Sequence, residues 1–287
     1  MPSILINGHP TAQISVLDRG FQYGDGLFET LRVVNGQPQH WSRHMARLVS
    51  GCERLGIASP DLNCLRTEAE SLCRTFADGN GDCVHGVLKI TVTRGSGGRG
   101  YAFSDELEPT RVLAVSLAPV FPVSHASQGV KLRLCAMRLG QNPLLAGIKH
   151  LNRLEQVLAR AEWDDPDIAE GVLLDHQNNV IEGTMSNLFC VQTFEGAQPT
   201  LLTPVLSRCG VRGVTRDRIL EIAEQLHIPS RETDLSLEDF QQASEVFISN
   251  SLIGIWPVRE FMERDYPVGP ISRRLCDALE QDTGVDA

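Results

Sequence analysis

Leu145-Ala146-Gly147-Ile148-Lys149-His150-Leu151-Asn152-Arg153-Leu154-Glu155, near the middle of the chain, is the stretch on which the fold turns. A short apolar run closes on one lysine, and a helix-period pattern (Leu151, Leu154, Val157, Leu158) opens directly after it. Lys149 therefore sits where a strand or loop hands over to a helix. Apolar residues on its N-terminal side imply partial burial, which favours the neutral amine, the form that attacks a carbonyl carbon. A lysine snorkelling at a helix start has the same local pattern, so the motifs around it decide between the two.

Upstream, Ile4 to Ile6, then Asn7-Gly8, then a resumption through Ile14 reads as a β-hairpin on a type I′ turn. Asp18-Arg19-Gly20-Phe21-Gln22-Tyr23-Gly24-Asp25-Gly26 reads as a glycine-punctuated loop leading into a strand from Leu27 to Val34. Alternation puts Phe28, Thr30 and Arg32 on one face of that strand and Leu27, Glu29, Leu31 and Val33 on the other. Asn35-Gly36 closes a second hairpin, and helical periodicity from Trp41 to Leu55 turns Met45, Leu48, Val49 and Cys52 inward. Arg43 and Arg47 share a helical face, usually a solvated one, and one of them is a phosphate clamp if the helix points at a cofactor. His40 and His44 have a zinc-compatible spacing, but no glutamate follows the first and no third ligand lies nearby. They read as helix-start residues, and no metal is expected.

Residues 61 to 77 continue as helix, 78 to 82 as a turn, and Gly86–Thr93 and Val112–Leu117 as strands. Between those strands Arg94-Gly95-Ser96-Gly97-Gly98-Arg99-Gly100-Tyr101 contains Gly-x-Gly-x-x-Gly. No helix pattern opens within it, so the dinucleotide reading is rejected. A loop whose Arg94 and Arg99 close over a carboxylated ligand fits better. Proline-marked residues 118–125 form the linker between an N-terminal α/β domain, 1–117, and a larger C-terminal domain, 126–287.

The second half reads as strand 129–137, the lysine stretch, a helix from about Asn152 to Trp163, a strand 171–175, a strand-turn 180–184 and a strand 187–192. A helix over 211–226 follows, whose first-turn amides at Arg212-Gly213-Val214-Thr215 suit an anion. A short helix 238–243, a strand 245–249, a polar turn at Asn250-Ser251 and a closing helix 272–279 complete the chain.

The 287 residues carry a formal charge of −10, which argues against nucleic acid and anionic membranes as partners. No apolar run approaches membrane-spanning length and no signal-peptide pattern opens the chain. Eight cysteines without a Cys-x-x-Cys pair read as scattered thiols in a reducing cytoplasm.

Asp18-Arg19-Gly20, Tyr23-Gly24-Asp25-Gly26-Leu27-Phe28-Glu29-Thr30, the Lys149 stretch, Glu182-Gly183-Thr184-Met185-Ser186-Asn187-Leu188-Phe189 and Gly213-Val214-Thr215-Arg216 occur here in one order. Together they resemble the pyridoxal-phosphate enzymes of fold type IV, which include branched-chain and D-amino-acid aminotransferases and 4-amino-4-deoxychorismate lyases. The segments Asn142–Glu155 and Arg94–Tyr101 resemble the lyase versions most closely.

The resemblance implies a two-domain α/β (α+β mixed) architecture with pyridoxal 5'-phosphate between the domains, and a cytoplasmic homodimer. It implies that Lys149, supplied by the C-terminal domain, holds the cofactor as an aldimine and acts as the base. Glu182 would face the pyridinium nitrogen, and Arg47, Val214, Thr215 and Ser251 would bind the phosphate. Arg94, Arg99, Phe28 and Thr30 would meet the substrate. The implied reaction splits 4-amino-4-deoxychorismate, a dicarboxylate, into 4-aminobenzoate and pyruvate. Amino-group transfer on D- or branched-chain amino acids is the alternative. A scaffold that has lost the chemistry has no physical need for both Lys149 and Glu182.

Overall fold

The computed structural model describes residues 3–80, 85–104, 106–193 and 198–282. The chain forms two compact units, one comprising residues up to Pro119 together with Ile148–Asn152, the other Val120–Gly147 and Arg153–Asp282.

The first unit contains β1 (Ser3–Ile6), α1 (Arg19–Tyr23), β2 (Gly26–Val34), β3 (Gln37–Pro38), α2 (Trp41–Leu55), α3 (Leu62–Asn80), β4 (His85–Thr93) and β5 (Thr110–Leu117). Its antiparallel sheet runs β1-β5-β4-β2-β3. Alternation along β2 turns Leu27, Leu31 and Val33 into a core with Met45, Leu48 and Cys52 of α2 and Leu65 and Phe76 of α3. The same strand puts Phe28, Thr30 and Arg32 on the opposite face.

Asn35 and Gly36, both at positive φ, make the β2–β3 turn. The first hairpin does not form: β1 stops at Ile6, its only return is a single bridge to His9, and it pairs instead with β5. The supposed loop at 18–26 contains α1, because the Asp18 carboxylate caps the amides of Gly20 and Phe21. α3 runs on to Asn80, three residues past its expected end, and 81 and 82 of the expected turn lie outside the described residues.

The second unit contains α4 (Ser124–Gln128), β6 (Val130–Leu139), α5 (Leu154–Arg160), β7 (Ile168–Asp175), β8 (Val180–Gly183), β9 (Asn187–Gln192), β10 (Thr200–Pro204), α6 (Val214–Gln225), β11 (Ser230–Thr233), α7 (Leu237–Gln242), β12 (Glu245–Asn250), β13 (Gly254–Phe261), β14 (Arg264–Asp265) and α8 (Pro270–Gln281). Its mixed sheet runs β11-β10-β9-β12-β13-β6-β7-β8, with β14 added to β13. Central strands are buried on both faces. Leu188, Cys190, Val246 and Ile248 join one core, while Phe189, Val191 and Phe247 join another with Ile219 and Ile222 of α6 and Leu275 of α8.

Several expectations are corrected here. The helix read over 152–163 is only Leu154–Arg160, since Arg160 Nη1 donates to the Trp163 carbonyl and Trp163 Nε1 to that of Ile168, turning the chain back. Its apolar stripe is exposed, Leu154 at 76%. α6 begins at Val214 because Val211 is bridged to Gly147 instead of entering the helix. β10, β11, β13 and β14 carried no clear signal. In β13 Pro257 breaks the strand pattern, although it sits in register with Phe247. Among the described residues no helix is long and apolar enough to cross a membrane.

Candidate active site

Lys149 belongs to the first unit, which corrects its assignment to the C-terminal domain. The reason lies on the β2 edge. β3 covers only Val33 and Val34, so the other end of that edge accepts residues 149–151 through a single antiparallel bridge between His150 and Leu27. Phe28 N–H donates to the Lys149 carbonyl at 3.0 Å, and Leu151 N–H donates to Gly26 O at 2.9 Å. Gly26 is required here, since a Cβ would lie 2.5 Å from the Val92 carbonyl oxygen as well as 2.8 Å from a Leu151 methyl. Alternation then sends Ile148 into the core and the half-buried Lys149 to the Phe28 face. Lys149 Nζ stands 4.5 Å from the centre of the Phe28 ring.

Lys89 Nζ approaches that ring too, at 5.3 Å, and Lys89 pairs in register with Thr30. Phe28, Thr30, Lys89 and Lys149 thus share one sheet face. Sequence reading missed Lys89. Its signal was available, a cation on the outward alternation of β4, but its significance depends on the β2–β4 register.

Glu29 points to the core face of β2 and is 1% exposed. Two residues of α2 meet it: Arg47 Nε donates to Oε1 at 2.8 Å with Nη2 on Oε2, and His44 Nδ1 lies 2.6 Å from Oε2. Burial alone would raise the Glu29 carboxyl, but the charge and hydrogen bonds of Arg47, helped by His44, hold it down to about 2. Burial pulls His44 below its ordinary value against the stabilising carboxylate, and the Lys149 charge also pushes it down. A neutral ring facing a carboxylate carries its proton on Nδ1. His44 is therefore a buried partner of Glu29 and not the ordinary helix-start residue expected. Arg47 stands beside it as an oriented cation.

Arg94 cannot act as the clamp expected of it. It is 6% exposed, and its guanidinium binds both Asp25 oxygens (2.8 and 3.0 Å) and the carbonyls of Leu55 and Gly56 that end α2. Arg19 grips the same Asp25 and donates to the carbonyls of Gly100, Tyr101 and Ala102. Burial opposes ionisation of Asp25, but the two arginines overcome it and hold its carboxyl below the usual range. Arg99, by contrast, is exposed on the loop that Arg19 shapes.

In the second unit Glu182 is 4% exposed, at the end of β8. Its Oε2 accepts the Val211 amide at 2.7 Å, and its Oε1 accepts from Gln156 Nε2 at 3.3 Å. Partial burial lowers the pKa of the half-buried Arg153 guanidinium, and the charge of Glu182 opposes that shift. At α6 the N-cap is Gly213, which has no side chain of its own to cap the first turn, and Thr215 Oγ1 lies 3.4 Å from Ser251 Oγ. Two amides and two hydroxyls thus meet at a helix start, an arrangement suited to a phosphate monoester. Arg216 anchors the helix from below through Pro204 O and Glu232. Among the described residues no His, Cys, Asp or Glu cluster could hold a metal, and the seven described cysteines are free.

The chain belongs to the amino-transferase class IV family, whose model matches residues 26–261. Within that class it is 38% identical to the aminodeoxychorismate lyase of Vibrio harveyi, over 94% of this chain and 97% of that one. A crystal structure of 4-amino-4-deoxychorismate lyase from Pseudomonas aeruginosa superposes with a TM-score of 0.90 at 48% identity, covering 98% of this chain and 100% of that one. The D-alanine aminotransferase of Staphylococcus aureus is 30% identical over 98% of both chains.

Proposed function

We propose that this chain is a pyridoxal-phosphate-dependent lyase that converts 4-amino-4-deoxychorismate to 4-aminobenzoate and pyruvate. The observation that carries the reading is the Lys149 amine on the Phe28 face beside a second cation, Lys89. A dicarboxylate substrate needs such charges next to the base. The likeness to two lyases across nearly the whole chain supports it further.

The residues fit the cofactor. Lys149 is the amine that would carry it, and Glu182 is a buried carboxylate able to keep a ring nitrogen protonated. Val214, Thr215 and Ser251, with Arg47, would hold the phosphate. Bound there, pyridoxal phosphate supplies an electron-withdrawing ring that stabilises negative charge on the substrate carbon next to its nitrogen. Lys149 takes the proton from that carbon as general base. Cleavage of the C–O bond at the neighbouring carbon then expels enolpyruvate, which takes up one proton to become pyruvate, and leaves an aromatic ring. Lys89 and Arg99 hold the carboxylates, while Phe28 and Thr30 shape the face they share. Glu29 fixes the rotamer of Arg47.

The chain is further proposed to act as a cytoplasmic homodimer, with the exposed α5 stripe of Leu154, Val157 and Leu158 covered by a second copy. Light scattering on the eluted protein should give twice the chain mass. Amino-group transfer is the second reading, favoured by the likeness to D-alanine aminotransferase. Holoenzyme given the substrate without any keto acid should release 4-aminobenzoate and pyruvate in equal amounts. Amino-group transfer to an added keto acid, with no 4-aminobenzoate formed, would overturn the lyase reading.

A further inference from the structure

Residue Val211 is held at both of its polar backbone atoms. Its N–H donates to Glu182 Oε2 at 2.7 Å, and its carbonyl accepts from Asn187 Nδ2 at 2.9 Å. On its other edge the segment 210–212 is paired with Gly147, through Gly147 N–H to Gly210 O at 2.8 Å and Arg212 N–H to Gly147 O at 3.2 Å. The Asn187 amide also packs against Gly213, the N-cap of α6: a Cβ built on Gly213 would fall 2.1 Å from Asn187 Oδ1. One buried side chain, 7% exposed, therefore touches the backbone that orients Glu182 and the backbone that starts the phosphate-binding helix.

Asn187 is itself set from behind. The fully buried Glu170 carboxylate accepts from Thr184 N, Met185 N and Ser186 Oγ at 3.0, 3.1 and 2.8 Å, and also from Thr184 Oγ1. This fixes the loop that leads from Glu182 into Asn187.

We infer that Asn187 is a positioning residue that couples the ring-nitrogen carboxylate, Glu182, to the phosphate-binding start of α6, so that both ends of the cofactor subsite are aimed by one amide. The inference rests on the cofactor assignment but not on the identity of the substrate. Asn187→Ala removes the donor to Val211 and the packing against Gly213. Asn187→Asp keeps the shape and sets an oxygen against the Val211 carbonyl. Gly213→Ala reaches the same contact from the helix side at a φ of −72°, open to any residue.

The test is calorimetric titration of the apoproteins with three probes: pyridoxal phosphate, pyridoxal, which lacks the phosphate, and inorganic phosphate. Removing one hydrogen bond should weaken pyridoxal and inorganic phosphate each by about fivefold. Pyridoxal phosphate should weaken by more than either, and the pH dependence of the bound cofactor's absorbance should shift. Weakening of only one of the two partial probes in folded Asn187→Ala overturns the coupling, and so does weakening of neither. Should Asn187→Ala fail to fold, Gly213→Ala decides on pyridoxal, whose affinity a purely local helix-start defect would leave unchanged. Wild-type apoprotein that binds none of the three sinks the cofactor assignment and the inference with it. A lyase assay that fails while the titrations succeed touches only the proposed substrate.

Discussion

Phe28 holds Lys149 twice: its amide donates to the Lys149 carbonyl at 3.0 Å, and its ring centre lies 4.5 Å from Lys149 Nζ. The lysine is presented by a neighbouring strand as much as by its own segment, and its direction follows from β2 pleating. Lys149→Ala should cut 4-aminobenzoate formation by about 10²–10⁴-fold, the usual contribution of a placed general base. It should also abolish the borohydride-stabilised cofactor adduct on the peptide containing residue 149. Phe28→Leu keeps the backbone bond but loses the ring face, worth about 0.5–1 kcal/mol, so a loss of a few-fold in kcat/KM is expected. An adduct that persists on another lysine would refute the assignment.

The buried Glu29 ties stability to pH. Its folded carboxyl sits at about 2 against an ordinary 4.5. The carboxylate form therefore contributes stability that is present above about pH 4.5 and lost as pH falls towards 2. The full effect is up to about 3 kcal/mol. His44, lowered by burial, adds a loss of the same sign that begins below its ordinary value of 6.5. The melting temperature, followed by circular dichroism, should decline from pH 7 to pH 3. In Glu29→Gln it should start lower, because Arg47 loses its partner, and fall less steeply below pH 5.

Arg94 and Arg99 separate by what each does. Arg94→Ala should lower stability by about 1–3 kcal/mol, because it strands the carbonyls of Leu55 and Gly56 and leaves Asp25 with Arg19 as its one remaining arginine partner. Urea unfolding monitors this directly. Arg99→Ala should leave the unfolding midpoint in place and raise KM by roughly tenfold, the cost of one charge-assisted carboxylate contact. Equal KM values for wild type and Arg99→Ala would remove the loop from substrate binding.

Lys89→Met preserves the stem and removes the charge on the Thr30 face. KM for the dicarboxylate substrate should rise by about tenfold, and wild-type cofactor affinity should be retained. A KM that stays put while cofactor affinity falls would instead assign Lys89 to the phosphate.

Local physics is legible in a single sequence. Period-2 alternation placed β2 and sorted Phe28 and Thr30 from Glu29. Asn35-Gly36 announced its own turn, and α2 was bounded from its apolar spacing alone. Sheet partnership was not legible. The Asn7-Gly8 turn forms without its hairpin, because β5 offers β1 a longer partner, and Pro257 concealed a strand whose pairing tolerates it.

The sequence by itself determined the chemistry available to this protein: a lysine after an apolar run, a carboxylate at 182, a glycine-led helix start near 213, and the motif order that marks the family. Only tertiary structure decided which of those groups are at liberty to act. It locked Arg94 to Asp25, turned His44 into a buried partner of Glu29, moved Lys149 onto the edge of β2, and set Lys89 beside the same ring. The reason is one of range. Turns and periodicity are settled within a few residues, whereas the pairing of a buried charge is settled by strand register and helix docking between residues 15 to 121 positions apart, from Glu29–His44 to Phe28–Lys149.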